Sequence, residues 1–294
     1  MPDHHELPKY YLRGFCTPST STSFLWIFER NRSFLPGKKH GVNNPCQRGI
    51  RQTGLRKDAY AVRNPNGKVN YEYERQLQQK ERIADAAIDK VRKCEAIETC
   101  EKDILAGYIG LTWRRISSHD KLVRPLVEKQ VTNPSLLKMV QNLAYSGEFG
   151  KAYKLQDALE QVQSEEGKNE ISRMIMLLDF NKIHSGMMRM RWEFITATPS
   201  CYFITTDNPV VFDCHSGLST SQLLFPISQT VMLVASHHEG TDLSYRQASL
   251  SETRKLNAIL IRFAECKVYS PYPDEWIHKN MAEGFAFTGS DDNC

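Results

Sequence analysis

The sequence predicts an α+β fold, with a mixed sheet built from N-terminal and C-terminal strands and packed on a central helical block. Three observations carry this reading. Residues 1–69 are short apolar runs separated by turn residues, residues 70–190 follow helical periodicity, and residues 191–294 are rich in strand-like segments. The strands therefore lie at both ends of one 294-residue domain, and the two ends have to meet to complete a sheet.

In the first region, Phe24-Leu25-Trp26-Ile27-Phe28 has strand composition and Asp58-Ala59-Tyr60-Ala61-Val62 reads as a second strand. A polar loop with Pro36, Gly37, Gly41, Pro45 and Gly49 separates them, and Asn64-Pro65-Asn66-Gly67 marks a turn. Helices are predicted over 71–95, 99–117, 120–131, 134–146, 149–165 and 168–188, with Asn133-Pro134 as a cap and Gly147 as punctuation. Strands follow at 191–197, 201–205, 209–213, 223–227 and 230–235, then a helix at 250–264 and a strand at 267–269. Phe225-Pro226-Ile227-Ser228 ends or bends an edge strand. The last residues form a polar Gly-Ser-Asp-Asp-Asn tail.

Composition narrows the class. Hydrophobic residues make up 40%, charged residues 24% and aromatics 10%, the balance of an ordinary soluble domain. A net charge of +4 permits nucleic-acid contact without the basic stripe of a dedicated binder. The eight cysteines are scattered and form no CxxC pair, so a cysteine-based zinc site is not expected. With neither a basic-apolar leader nor an apolar run of membrane-spanning length, the expected location is cytoplasmic, with reduced thiols and no membrane partner. HExxH, a Walker loop, GxGxxG and GxSxG are absent, which removes the commonest zinc-protease, nucleotide-motor, dinucleotide and serine-hydrolase signatures, and no organic cofactor is expected.

Five polar residues stand where the pattern does not require them. Glu81 falls on the apolar stripe of its helix with Leu77, Ala84, Ile88 and Val91, and a carboxylate facing a core needs a partner or a polar cavity. Arg115 ends the stripe Ile104, Tyr108, Leu111, with Arg114 beside it; its planar fork suits Glu81, a carboxylate or a phosphate. Asp207 stands in Phe203-Ile204-Thr205-Thr206-Asp207-Asn208-Pro209, where an apolar strand runs into a polar turn. It serves there as an Asx-type cap or as a metal ligand or base aimed from a strand end. His4 and His5 precede Pro8 in an opening whose Tyr10, Tyr11, Leu12 and Phe15 offer enough apolar surface to dock the end on a core, and either imidazole suits proton transfer or metal ligation. His237-His238-Glu239 reads as a solvent-facing turn.

His4-His5-Glu6-Leu7-Pro8-Lys9-Tyr10-Tyr11-Leu12-Arg13-Gly14-Phe15 resembles the HHxVPxxYLRxF opening of a widespread microbial family known as domain of unknown function 4238. Further similarities follow in order: Glu74, Leu77 and Glu81; Ile109 to Arg115; Trp192; Phe203 to Val210; Phe225 to Ser228; and Asn257 to Ser270. Glu6 stands where an aromatic is usual, Thr206 where serine is common and Gln229 where proline often follows. The resemblance singles out His5, Pro8, Tyr11, Leu12, Glu81, Arg115, Asp207 and Pro209, and the family's sporadic occurrence is similar to that of mobile or defence genes.

Two functional expectations stand side by side. In one, His5, Glu81, Arg115 and Asp207 form the catalytic cleft of a hydrolase acting on nucleic acid or nucleotides, with Glu81 and Asp207 holding Mg²⁺ or Mn²⁺. In the other, the chain is a non-catalytic module, an anionic-ligand sensor or partner-binding protein, and the same residues form a buried network tying the N-terminus to the helical block.

Overall fold

Strands from both ends of the chain are joined by direct pairing. The computed structural model describes residues 3–5, 7–17, 23–30, 41–53, 55–57, 62–63, 69–70, 72–115, 142, 164, 180–213 and 222–282. Strand β1 (Asp3–His5) is followed by helix α1 (Lys9–Arg13), β2 (Phe24–Glu29), β3 (Cys46–Gly49), β4 (Leu55–Lys57), β5 (Val62–Arg63) and β6 (Val69–Asn70). The helices α2 (Glu72–Arg92), α3 (Thr99–Arg115) and α4 (Phe180–Arg189) come next. Then follow β7 (Arg191–Thr196), β8 (Thr205–Thr206), β9 (Val211–Asp213), β10 (Gln222–Pro226), β11 (Val231–Ser236), β12 (Ser244–Gln247), α5 (Leu250–Phe263), β13 (Lys267–Ser270) and α6 (Glu275–Ala282).

The fold is α+β, and the described strands divide into two larger sheets and two short ribbons. One sheet has the order β3-β2-β13-β8, with Trp26 opposite Ser270 and Glu29 opposite Lys267, so an N-terminal pair of strands is joined edge to edge with a C-terminal pair. The other has the order β12-β7-β11-β10-β9 and is antiparallel except where β12 runs parallel to β7. Because strand side chains alternate, this second sheet is covered on both faces. Trp192, Phe194, Leu223, Phe225, Leu233 and Ala235 join α1, α2 and α3 in one core cluster. Ile195, Leu224 and Met232 point the other way, into a cluster with Phe28, Val268 and the apolar stripe of α5. Burying an aromatic such as Trp192 or Phe225 stabilises each layer by about 2 kcal/mol.

The helical stripe on α2 is as expected, with Ala84, Ile88 and Val91 fully buried. The helix stops where Cys94 takes φ 57°, a left-handed residue whose N–H returns to the Val91 carbonyl at 3.0 Å. Ser249 caps α5 by accepting the Glu252 N–H at 3.1 Å. Other expectations move. The strand expected at 201–205 contracts to Thr205–Thr206 because Phe203 donates its N–H to the Gln229 carbonyl and Ile204 to the Asn257 side chain. Helix α1, strand β12 and helix α6 are additions that short, polar or mixed segments did not announce. Apart from single positions at 142 and 164, the helices expected at 120–131, 134–146 and 149–165 lie outside the described residues, as does most of the strand at 58–62; the helix expected at 168–188 is described from Phe180. Among the described residues no helix is long and apolar enough to cross a membrane.

Lys102 is the one lysine among the buried polar residues described. Its Nζ donates to the Met190 carbonyl at 2.8 Å and Asp242 Oδ2 at 2.7 Å, and it lies 5.5 Å from the centre of the Trp192 ring. Asp242 Oδ1 accepts the Trp192 N–H at 2.7 Å, so the pair ties α3 to the start of β7 and to the loop before β12. Desolvation pushes the Asp242 carboxyl up, but the Lys102 ammonium and the backbone donors outweigh it and hold it below its ordinary value. That stabilisation is present above the unfolded-state value and is lost as pH falls through the folded one. Lys102→Met should cost about 2 kcal/mol at neutral pH. The gap between wild type and variant should narrow below pH ~4, where the carboxylate takes up its proton; denaturant melts at neutral and acid pH measure both effects.

Candidate functional site

Two buried joints hold Pro8, Tyr11, Leu12 and Asp207 of the residues singled out in the sequence. The first begins at Pro8, whose fixed extended backbone (φ −57°, ψ 139°) precedes α1 and whose carbonyl accepts the Leu12 N–H. Tyr11, Leu12 and Phe15 are completely buried, so the opening segment is a docked element. The Tyr11 hydroxyl donates to the Pro226 carbonyl at 2.8 Å and lies 2.7 Å from Thr205 Oγ1. Burial holds this hydroxyl protonated, well above its ordinary range. Its ring stacks on Phe225 with centroids 5.3 Å apart.

Arg92, at the end of α2, completes this joint and was not singled out in the sequence. Its Nη2 donates to the Tyr10 and Tyr11 carbonyls at 3.1 Å each, and its Nε to the Ile227 carbonyl at 3.4 Å. A Cβ on Gly14 would stand 2.7 Å from Arg92 Nη2 and 2.9 Å from the Ile227 oxygen, so the close approach requires glycine there. The Gly14 carbonyl in turn accepts the Gln229 N–H at 2.7 Å.

Asp207 organises the second joint. Its Oδ1 accepts the Glu265 N–H at 2.9 Å, and its Oδ2 accepts those of Cys266 at 2.8 Å and Lys267 at 2.9 Å. The carboxylate therefore caps the turn between α5 and β13, while Thr206 Oγ1 accepts the Asn208 N–H and closes the local turn. Arg30, 5% exposed, donates to the Ile261, Ala264 and Met281 carbonyls, closing the C-terminal ends of α5 and α6. Burial depresses the Arg30 guanidinium, and the charge of Asp207 opposes that. Burial also lifts the Asp207 carboxyl to about 6 against the pull of the three N–H donors.

The remaining candidates lie elsewhere. Glu81 is half-buried, where an apolar-stripe position led us to expect a sealed side chain. It stands one turn from Asp85, and Asp89 follows one turn further on. Burial, then the charges of Glu81 and Asp89, raise the Asp85 carboxyl, while Arg92 and Arg13 lower it. Tyr10 covers this stripe, donating to the Asp85 carbonyl at 3.2 Å, and is pushed up to about 12 by burial and by Asp89. His5 is placed by backbone pairing opposite Leu55 in the β1–β4 ribbon, and its side chain lies outside those described. Arg115 is the last residue of α3, and its side chain is likewise outside; the guanidinium described at this helix end is Arg114, 3% exposed. Among the described residues, no group of three His, Cys, Asp or Glu side chains gathers as a metal seat. His237, His238 and Glu239 are exposed, as expected of a turn.

Tyr11, Thr205, Pro226, Asp207 and Asn257 thus occupy one continuous framework in which an opening YLRGF, a TTDNP turn and an FPIS bend meet. The family described as "Protein of unknown function (DUF4238)" matches residues 3–272 of the 294-residue chain. The chain belongs to this DUF4238 family. Neither the curated proteins nor the solved structures give a match to it. What the family's segments do in this member is read from the joints themselves.

Two tests address them. Tyr11→Phe keeps the ring but strands the Pro226 carbonyl and Thr205 hydroxyl, which should cost about 2 kcal/mol and lower the melting temperature by several degrees. For Asp207, the folded value of about 6 lies above the ordinary 3.8, so the folded state holds the proton more tightly. Its contribution then falls as pH rises from about 4 to about 6 and is flat above. The stability gap between wild type and Asp207→Asn should narrow over that interval in thermal melts; a constant gap would contradict the assignment.

Proposed function

We propose that this DUF4238 member is a cytoplasmic binding or interaction protein whose motif residues form the internal framework that shapes its surface. The observation that carries this reading is the use of the Asp207 carboxylate, both of whose oxygens are engaged by the Glu265, Cys266 and Lys267 N–H groups. A carboxylate employed this way closes a turn, and its raised protonation range follows from burial at that turn. Tyr11 supports the same reading, since its hydroxyl bonds to Pro226 and Thr205 inside the core.

The competing reading is metal-assisted hydrolysis of nucleic acid or nucleotides with Mg²⁺ or Mn²⁺. Its support is the acidic run Glu81, Asp85, Asp89, where like charges raise Asp85 and a divalent cation would relieve the repulsion. In that reading His5 supplies the base and Arg115 the phosphate contact.

One experiment separates the two. Wild type, Asp207→Ala and Glu81→Ala are incubated with RNA, DNA and nucleotides in the presence of Mg²⁺ or Mn²⁺, and their thermal melts are recorded in parallel. The framework reading expects no cleavage by wild type and a loss of several degrees in Asp207→Ala. Metal-dependent cleavage abolished by Glu81→Ala or Asp207→Ala, with the melt unchanged, would overturn it.

A further inference from the structure

The loop between β13 and α6 builds a second polar-aromatic cluster, away from both joints. Tyr272, Asp274 and Trp276 gather there against Tyr202, which lies in the segment before β8. The Tyr202 ring is 5.2 Å from that of Tyr272, tilted by 59°, and 6.3 Å from that of Trp276, tilted by 47°. Tyr272 is 39% exposed, one of three large apolar or aromatic side chains standing out from the described surface.

Asp274 is the unusual member. It directly precedes α6, where a carboxylate ordinarily accepts the first-turn N–H groups. Here its Oδ2 turns away to accept the Tyr202 hydroxyl at 2.5 Å and the Trp276 Nε1–H at 3.3 Å, while the Ile277 N–H takes the Asp274 backbone carbonyl. Oδ1 makes no hydrogen bond or ion pair among the described residues, and the side chain is only partly buried. The surroundings are held still. Ser270 Oγ donates to the Tyr272 carbonyl at 2.8 Å and accepts its N–H at 3.1 Å, and Asn257 Nδ2 fixes the Tyr202 carbonyl at 2.8 Å. Pro271 and Pro273 stiffen the loop further.

We propose that this cluster seats an arginine side chain of a partner polypeptide. Aromatic faces and a carboxylate with one open oxygen make the site negative; the neighbouring Glu275 is paired with Lys279 at 3.2 Å and leaves Asp274 as the carboxylate that faces a ligand. A guanidinium matches both parts at once. Its plane lies on a ring, and its edge donates N–H to Asp274 Oδ1. A quaternary ammonium has the charge but no N–H to give, and a lysine ammonium has no plane to stack. The proposal names a partner chemistry for the binding reading above, on which it rests, and its ligand contacts include neither Tyr11 nor Asp207, the residues that carry that reading.

The test is a fluorescence titration of the full chain with blocked Gly-Arg-Gly peptide, with blocked Gly-Lys-Gly and tetramethylammonium chloride as comparisons. The arginine peptide should change tryptophan emission saturably at millimolar concentration, and the change should vanish in Trp276→Phe. Asp274→Asn, which still accepts from Tyr202, should weaken binding about fivefold, the effect of one half-exposed ion pair. Tyr272→Ala, at an exposed position that does not support the core, should abolish binding while leaving the melt unchanged. No saturable change, equal binding of the lysine peptide, tighter binding of tetramethylammonium, or full affinity in Tyr272→Ala would each overturn the assignment. None of those outcomes touches the framework reading, which the Asp207 melts decide.

Discussion

The structure turns on one buried hydroxyl. Tyr11 reaches from a five-residue helix into the seam between the two larger sheets, donating to Pro226 on one and meeting Thr205 on the other. Each acceptor would otherwise sit in an apolar interior without its hydrogen bond, so α1, β8 and β10 take up their mutual position together. Arg92 repeats the device from the helical side, delivering three donors to carbonyls of α1 and the β10–β11 turn. A short helix with little stability of its own becomes a fixed part of the core because the three layers it touches need its polar groups.

The second joint follows the same logic with full charges. Asp207 and Arg30 are near each other, yet each spends its hydrogen bonds on backbone: the carboxylate on N–H groups entering β13, the guanidinium on carbonyls leaving α5 and α6. Helix ends and tight turns leave such groups without partners, and buried ones are costly. A conspicuous motif, with a carboxylate at a strand exit and a displaced titration range, can therefore arise from architecture. Asp207 has the features commonly taken as signs of an active site, and burial explains them.

Much of the fold was legible. The α2 stripe of Ala84, Ile88 and Val91, the strands at Phe24, Trp192, Leu223 and Val231, and the meeting of the two chain ends all follow from periodicity. What was not legible depended on tertiary partners. Helix α1 has five residues and takes its stability from the core. Strand 201–205 shortened because its amides found Gln229 and Asn257 across space. Of the two joints, Tyr11, Pro226 and Asp207 stood out, but Arg92 and Arg30, which complete them, did not, and neither did Lys102 beside Trp192. A basic side chain on a helix or strand looks like a solvated one until the carbonyls it will meet are known.

The pairing of Phe24–Glu29 with Lys267–Ser270, and of Tyr11 with Thr205 and Pro226, has a consequence for how the chain is made. Synthesis proceeds from the amino end, so YLRGF and FLWIF leave the ribosome long before Thr205, Pro226 and β13 exist to complete their docking. Contacts spanning some two hundred residues close late and slowly. Until then these aromatic segments are only partly covered, and incompletely covered apolar chain is what holdase chaperones capture and what self-associates when left unattended. A nascent chain arrested before β13 lacks one of the two strands that flank β2, so its sheet edge stays open.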